Sequence, residues 1–134
     1  MNVLFCSCVI LINKSKEVLI CQRPKGKNMS GFWEFPGGKV KNGEKFDIAA
    51  IREIKEELDV SIDKKKINYL MNIFFEYPEY FLSMQVYFTD IWHGKIKGMD
   101  SQKFKWVKKD ELINIDMLPA SNKVIQKILK NNSF

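Results

Sequence analysis

The stretch "GGKVKNGEKFDIAAIREIKEELDV", residues 37–60, carries the clearest structural signal in the chain. Its first part is rich in glycine and polar residues, which is typical of a loop. From residue 46 to residue 59 it consists of helix formers, and Ile51, Ile54 and Leu58 recur at helical spacing. The stretch therefore predicts a loop followed by a helix over 46–59, with one apolar face directed toward a core.

The same helix gathers three carboxylates beside its apolar face. With about 100° of rotation per residue, Glu56 and Glu57 lie within roughly 60° of Glu53, one on either side. In a cleft with an effective dielectric constant near 20, each pair at about 5 Å repels by roughly 3 kcal/mol, so a cation or protons must relieve the repulsion. Carboxylate oxygens are the ligands that Mg²⁺ and Mn²⁺ prefer. A solvated helix with ion pairs four residues apart, such as Arg52–Glu56, is the alternative interpretation.

The glycine-containing loop ahead of the helix can present N–H groups to phosphate and carbonyl groups to a metal ion. Gly38 and Gly43 have the spacing of a phosphate-binding P-loop. In that motif lysine and then serine or threonine follow the second glycine, whereas Glu44 and Lys45 stand here. The sequence therefore excludes a P-loop.

The composition is that of a one-domain globular protein. The chain has 134 residues, of which 46% are hydrophobic, and no apolar run is long enough to span a membrane. Its apolar start lacks the basic beginning and the cleavage site of a signal peptide, so we expect a cytoplasmic protein with no membrane partner. Cys6, Cys8 and Cys21 fit no zinc module and are expected to be buried thiols. The net charge of +6 suits a polyanionic ligand such as a nucleotide, but no nucleic-acid-binding motif accompanies it.

Strand patterns surround the acidic helix. The predicted strands are 3–12, 18–23, the two arms of an antiparallel hairpin within 69–92, and 104–109. Residues 24–38 predict a loop interrupted by a short extended piece, and residues 119–130 predict a second amphipathic helix. No repeat or linker interrupts this order. We therefore expect a single α/β domain over 1–134, with a mixed β-sheet between helices.

The acidic helix and its loop resemble the Nudix box, G-x5-E-x7-R-E-U-x-E-E-x-G-U, in which U is aliphatic. The matching residues are Gly38, Glu44, Arg52, Glu53, Ile54, Glu56, Glu57 and Val60. Asp59 is the one departure, since the family has a glycine that ends the helix in a left-handed conformation. Asp adopts that conformation at modest cost, so the turn is expected to survive. The resemblance implies the Nudix α/β/α sandwich, with the box as loop–helix–loop.

The resemblance also implies a mechanism and a set of site residues. Nudix hydrolases of this kind attack a phosphorus of the diphosphate chain with water and release nucleoside monophosphate and pyrophosphate. The implied ligands of Mg²⁺, or of Mn²⁺ in its place, are Glu53, Glu56, Glu57 and the backbone carbonyl of Gly37 or Gly38. Arg52 would orient Glu53, and Glu44 would support the cluster from behind. Glu53 is the expected general base.

"QRP" at 22–24, "GFWEFPGGKV" at 31–40 and the "LPAS" segment resemble the MutT branch of that family, which hydrolyses nucleoside triphosphates. The substrate-binding residues that this resemblance implies are Arg23, Glu34, Phe35, Pro36, Gly37, Ser121 and Asn122. A further acidic ligand is expected near Asp100. In guanine-specific members an asparagine that binds the base occupies the position of Ser121, so this chain departs from them there.

Several functions stay open on the sequence alone. The leading hypothesis is a nucleoside triphosphate pyrophosphohydrolase, with 8-oxo-dGTP as its substrate and removal of damaged nucleotides as its role. Alternative substrates are CTP, a methylated dCTP or a dinucleoside polyphosphate. A different class, a Nudix domain that binds nucleotide without hydrolysing it, usually lacks box glutamates, whereas all of them are present here.

Overall fold

The computed structural model describes residues 2–99, 102–131 and 134, and its elements follow the predicted order closely. The strands are β1 (Asn2–Leu11), β2 (Glu17–Gln22), β3 (Trp33–Glu34), β4 (Gly37–Lys39), β5 (Asn68–Glu76), β6 (Tyr80–Thr89) and β7 (Phe104–Lys108). The helices are α1 (Phe46–Leu58) and α2 (Ser121–Lys130), with 3₁₀ turns at Lys64–Lys66 and Lys109–Asn114. The second helix begins two residues later than expected, because Pro119 and Ala120 form a turn ahead of it.

Seven strands form two sheets in the described ranges. The larger sheet has the order β4-β1-β6-β5, in which β1 runs parallel to β6 while the other neighbours are antiparallel. The smaller sheet, β3-β2-β7, is antiparallel throughout. The larger sheet is thus mixed, as the sequence predicted, and its β1–β4 pairing places Gly38 opposite Ser7.

Strand β1 separates two hydrophobic cores, because successive side chains of a strand point to opposite faces. Cys8, Ile10 and Ile12 belong to one core, and Val9 and Leu11 belong to the other. The first core is completed by the apolar face of α2, namely Val124, Ile125 and Ile128, and the second by that of α1, namely Ala50, Ile54 and Leu58. Helices therefore cover both faces, which confirms the α/β/α sandwich.

Two of the three cysteines are buried thiols, as the sequence predicted. Cys8 and Cys21 are buried free thiols, whereas Cys6 is only partly buried. None of the helices in the described ranges is long and apolar enough to cross a bilayer.

Helix α1 ends at Asp59 in the left-handed conformation that the sequence predicted. Asp59 has φ 58° and ψ 33°, and its N–H donates to the carbonyl of Lys55 at 3.1 Å. Its carboxylate also pairs with the Lys55 ammonium at 3.1 Å, with both side chains well exposed. The box therefore keeps its helix end without the glycine.

We expect Asp59→Gly to stabilise the protein slightly. A left-handed non-glycine residue costs about 1 kcal/mol, which glycine avoids, while losing an exposed ion pair costs a few tenths at most. The free energy of unfolding in urea should rise by roughly 0.5 kcal/mol. Lys55→Ala, which removes only the ion pair, is the matched control and should change little. A marked loss of stability in Asp59→Gly would contradict this explanation.

Candidate active site

Arg52 lies at the centre of the box and joins its loop to its helix. Its Nε donates to Glu44 at 2.8 Å, and its Nη1 donates to Glu53 at 2.9 Å and to Glu56 at 3.2 Å. Its Nη2 donates both to the other oxygen of Glu44 and to the carbonyl of Lys39, each at 2.9 Å. The guanidinium thus contacts three carboxylates and one backbone carbonyl, and Glu53 is one of these carboxylates.

These charge-assisted hydrogen bonds change the ionisation of both partners. Arg52, together with the Lys41 N–H, lowers the pKa of Glu44 from 4.5 to about 2. The same contact raises the pKa of Arg52 above its ordinary value. Glu44 therefore stays ionised at acidic pH while the fold holds, and it keeps Arg52 beside Glu53.

The depressed pKa of Glu44 predicts part of the acid sensitivity of the fold. Because the folded pKa lies below the unfolded one, Glu44 stabilises the fold above about pH 4.5, and that stabilisation is lost as the pH falls toward 2. We expect the melting temperature of Glu44→Gln to fall less steeply than that of wild type between these limits. If the melting temperatures of wild type and variant fall in parallel as the pH decreases across this range, the Arg52–Glu44 ion pair does not contribute to the acid sensitivity.

Gly37 and Gly38 lie where the chain passes very close to its neighbours. A Cβ at Gly38 would stand 2.3 Å from the carboxylate of Glu53, and one at Gly37 would stand 2.1 Å from the carbonyl oxygen of Ser7. Glycine at position 38 therefore lets the Glu53 carboxylate lie directly against the backbone of β4. Glycine at position 37 lets β4 pair closely with β1.

A cavity of about 580 Å³ opens beside these glycines. Of the predicted site residues, those that line it are Arg23, Glu34, Phe35, Gly37, Gly38, Glu53, Glu57 and Ser121. Pro36, Asn122, Glu44, Arg52 and Glu56 lie outside its lining, and the Glu56 side chain is 55% exposed. Asp100 lies outside the described residues. Of the three glutamates expected to bind metal, the structure thus brings Glu53 and Glu57 to the cavity and leaves Glu56 on the Arg52 side.

Arg23 and Glu34 form an ion pair at the cavity wall. Nη1 of Arg23 lies 3.2 Å from Glu34, and its Nε donates to the Asn28 carbonyl at 2.7 Å. Burial raises the pKa of Glu34, and the guanidinium of Arg23 opposes that rise. The pair fixes a cation at the wall, where it can contact an anionic ligand.

The donor set of the cavity suits a hard cation. Glu53 and Glu57 supply carboxylate oxygens beside the backbone of Gly37 and Gly38, and divalent magnesium or manganese takes such oxygen ligands together with retained water. In the described ranges, however, no three histidine, cysteine, aspartate or glutamate side chains are gathered closely enough to share one ion. Glu56 is directed to Arg52 instead, and Glu57 accepts from Gln102 at 3.4 Å.

The structure adds lining residues that the sequence analysis missed. Among them are Cys6, Tyr77, Tyr80, Gln102, Leu118 and Ala120. Tyr77 and Tyr80 flank the turn of the predicted hairpin, so their aromatic character was visible, but nothing local showed that this turn reaches α2. Gln102 stands between β6 and β7 in the sequence, and no sequence pattern indicates that it approaches Glu57.

Comparisons with known proteins identify one family. The family model described as NUDIX domain matches residues 6–128. The 8-oxo-dGTP diphosphatase of Buchnera aphidicola (from Acyrthosiphon pisum) is 32% identical over 91% of this chain and 94% of its own. The CTP pyrophosphohydrolase of Escherichia coli is 27% identical over 82% of this chain and 80% of its own. A MutT structure from work on Aliivibrio salmonicida and Vibrio cholerae is 30% identical, with a TM-score of 0.81 over 97% of this chain and 100% of its own.

Proposed function

The chain belongs to the Nudix family and is a hydrolase of phosphorus-containing acid anhydrides, and from that premise we propose that it hydrolyses nucleoside triphosphates to nucleoside monophosphate and pyrophosphate. We further propose that it does so as a single domain over 1–134 and depends on Mg²⁺, with Mn²⁺ as a substitute. The observation that carries the proposal is the shared cavity, which joins two box carboxylates to the ion pair of Arg23 with Glu34.

The proposed metal ligands are Glu53 and Glu57, with Glu56 and the carbonyl of Gly37 or Gly38 completing the set. A divalent ion supplies charge neutralisation for the phosphate oxygens and increases the acidity of water. Recruitment of Glu56 would require its carboxylate to leave Arg52, which it contacts at 3.2 Å through an exposed side chain. The Arg52–Glu44 pair is shorter and can persist during that change.

The residues of the chain would then divide the reaction among them. Arg23 binds the phosphate chain, and Arg52 holds the Glu53 carboxylate in place from the side away from the substrate. Water forms a new P–O bond to a phosphorus of the diphosphate chain, its proton passes to Glu53, and the P–O–P bridge breaks to give nucleoside monophosphate and pyrophosphate. Because Gly38 has no side chain, Glu53 lies against β4 at the cavity wall, where it can accept that proton.

We propose 8-oxo-dGTP as the physiological substrate, and removal of this damaged nucleotide before its use in DNA synthesis as the role. Relatives that bear this activity in their names match at about 30% identity over most of both chains. CTP is the second candidate, because the E. coli CTP pyrophosphohydrolase is also a relative and because Ser121 replaces the base-binding asparagine of guanine-specific members.

Product release from a panel of nucleotides tests the proposal. Pyrophosphate is measured for dGTP, 8-oxo-dGTP, CTP and 5-methyl-dCTP, and the adenine mononucleotides are measured for diadenosine tetraphosphate as a dinucleoside substrate, each with Mg²⁺. We expect the highest kcat/KM with 8-oxo-dGTP. Equal values for dGTP and 8-oxo-dGTP would contradict the proposed role, a higher value for CTP would favour the second candidate, and binding without turnover of any compound would indicate a nucleotide sensor.

A further inference from the structure

Tyr77 joins the turn between β5 and β6 to the beginning of α2. The residue is 8% exposed and lines the cavity. Its hydroxyl oxygen accepts a hydrogen bond from the Ala120 N–H at 3.1 Å, 43 residues away in sequence. Its ring packs between those of Phe75 and Tyr80, with centroid distances of 4.7 and 5.2 Å. Ring and hydroxyl are therefore both fixed in position.

The hydrogen bond from Ala120 leaves the Tyr77 hydroxyl hydrogen available to another acceptor. A phenol group has one hydrogen to donate, and among the described residues no acceptor takes the one from Tyr77. Burial raises the pKa of Tyr77, so the hydroxyl keeps its hydrogen at neutral pH. The group is thus an oriented donor in the wall of the cavity.

Ser121 offers a second hydroxyl next to this donor. It is the first residue of α2, is 5% exposed and lines the same cavity. Its side chain makes no hydrogen bond to another described residue, yet no fully buried side-chain oxygen or nitrogen of the described residues lacks a partner. The Ser121 oxygen must therefore be accessible, and it opens on the cavity.

The surroundings of the two hydroxyls suit a flat, partly apolar ligand. Tyr80, Leu82, Met84 and Leu118 line the cavity together with Tyr77, and all come from the hairpin or from the segment before α2. The carboxylates come instead from α1, on the opposite side of β1. If a nucleotide places its phosphates beside Glu53 and Glu57, its base lies beside Tyr77 and Ser121.

We propose that Tyr77 determines base specificity by donating a hydrogen bond to a carbonyl on the edge of the base. The neighbouring Ser121 hydroxyl can either donate to the base or accept from it. This inference rests on the proposed function, because it takes the ligand to be a nucleotide. An oriented donor favours bases with a carbonyl at that position, such as guanine, hypoxanthine or uracil. It disfavours adenine and cytosine, whose amino groups are donors themselves.

Matched nucleoside monophosphates test the inference by calorimetry in the presence of Mg²⁺. Inosine and adenosine monophosphates, and likewise uridine and cytidine monophosphates, differ chiefly by a carbonyl in place of an amino group. We expect wild type to bind the carbonyl member of each pair more tightly. Tyr77→Phe should reduce that preference about three- to tenfold, the usual effect of one neutral hydrogen bond. Tyr69→Phe, at an exposed position outside the cavity, should leave the preference unchanged.

A purely structural role for Tyr77 gives a different result. Because Tyr77→Phe also removes the acceptor of the Ala120 N–H, loss of positioning would weaken both members of each pair equally and lower the melting temperature. Equal weakening, or no preference in wild type, would overturn the inference. A wild type that prefers the carbonyl members but hydrolyses no triphosphate would contradict the proposed function alone, and hydrolysis without the preference would contradict the inference alone.

Discussion

Glu53→Gln is expected to lower kcat/KM for the preferred triphosphate by a factor on the order of 10² to 10⁴, the usual contribution of a general base. The amide has nearly the same shape as the carboxylate, but it carries no charge and accepts no proton. Glu53 and Glu57 both line the cavity, and it is Glu53 that also lies against Gly38 and contacts Arg52. Pyrophosphate release under single-turnover conditions measures the loss directly.

Stability and a control variant separate this effect from damage to the fold. The melting temperature of Glu53→Gln should change little, since one ion pair with Arg52 is lost while Arg52 keeps Glu44 and Glu56. Glu76→Gln makes the same chemical change on the exposed face of β5, away from the cavity, and should retain wild-type activity. Activity of Glu53→Gln within a factor of about three of wild type would contradict the role of Glu53.

Gly38→Ala is the second substitution with a large expected effect. The added Cβ would stand 2.3 Å from the Glu53 carboxylate, so the carboxylate must leave its place against β4. A displacement of about 1 Å in a reacting group can cost about 10²-fold in rate, and we expect a loss of that size in kcat. The displaced atoms are the end of a flexible side chain, so the free energy of unfolding should change by less than about 1 kcal/mol.

Gly37→Ala is the matched control, and we expect it to lower the stability of the fold, whereas Gly38→Ala should lower the activity. Its Cβ would meet the carbonyl oxygen of Ser7 at 2.1 Å and the Cα of Cys8 at 2.6 Å, which are backbone atoms of the central strand β1. The clash should destabilise the fold by several kcal/mol, as overpacking of a core does. Measuring both the activity and the free energy of unfolding by chemical denaturation distinguishes the two variants, since Gly38→Ala should lose activity and Gly37→Ala should lose stability. A Gly38→Ala protein with full activity, or a Gly37→Ala protein as stable as wild type, would contradict this account of the two glycines.

The sequence predicted most of the local structure around the box. Helix α1, its apolar face and its left-handed end at Asp59 all follow from residues within one short segment. The two sheets could not be assigned in the same way. The parallel pairing of β1 with β6 joins residues almost 80 positions apart, and nothing within either strand specifies its partner.

The part of the candidate site that lies on α1 was predictable, because helical spacing determines which of its side chains are neighbours. Helical spacing brought Arg52 next to Glu53 and Glu56, and the structure confirms the ion pair between Arg52 and Glu56. Spacing did not show that Arg52 holds Glu56 away from the cavity, since that depends on how α1 sits against β4. Tyr77 and Gln102 escaped notice because their contacts with Ala120 and Glu57 bridge more than 40 residues.

Manganese uptake tests the central claim, that the box glutamates hold a divalent ion that a triphosphate then shares. Free Mn²⁺ gives a strong electron paramagnetic resonance signal, which decreases when the ion is bound. With a non-hydrolysable triphosphate present, we expect wild type to bind Mn²⁺ more tightly than the nucleotide alone does, and Glu53→Gln to lose most of that gain. The account would be contradicted if folded wild-type protein with the nucleotide bound Mn²⁺ no more tightly than the nucleotide alone does.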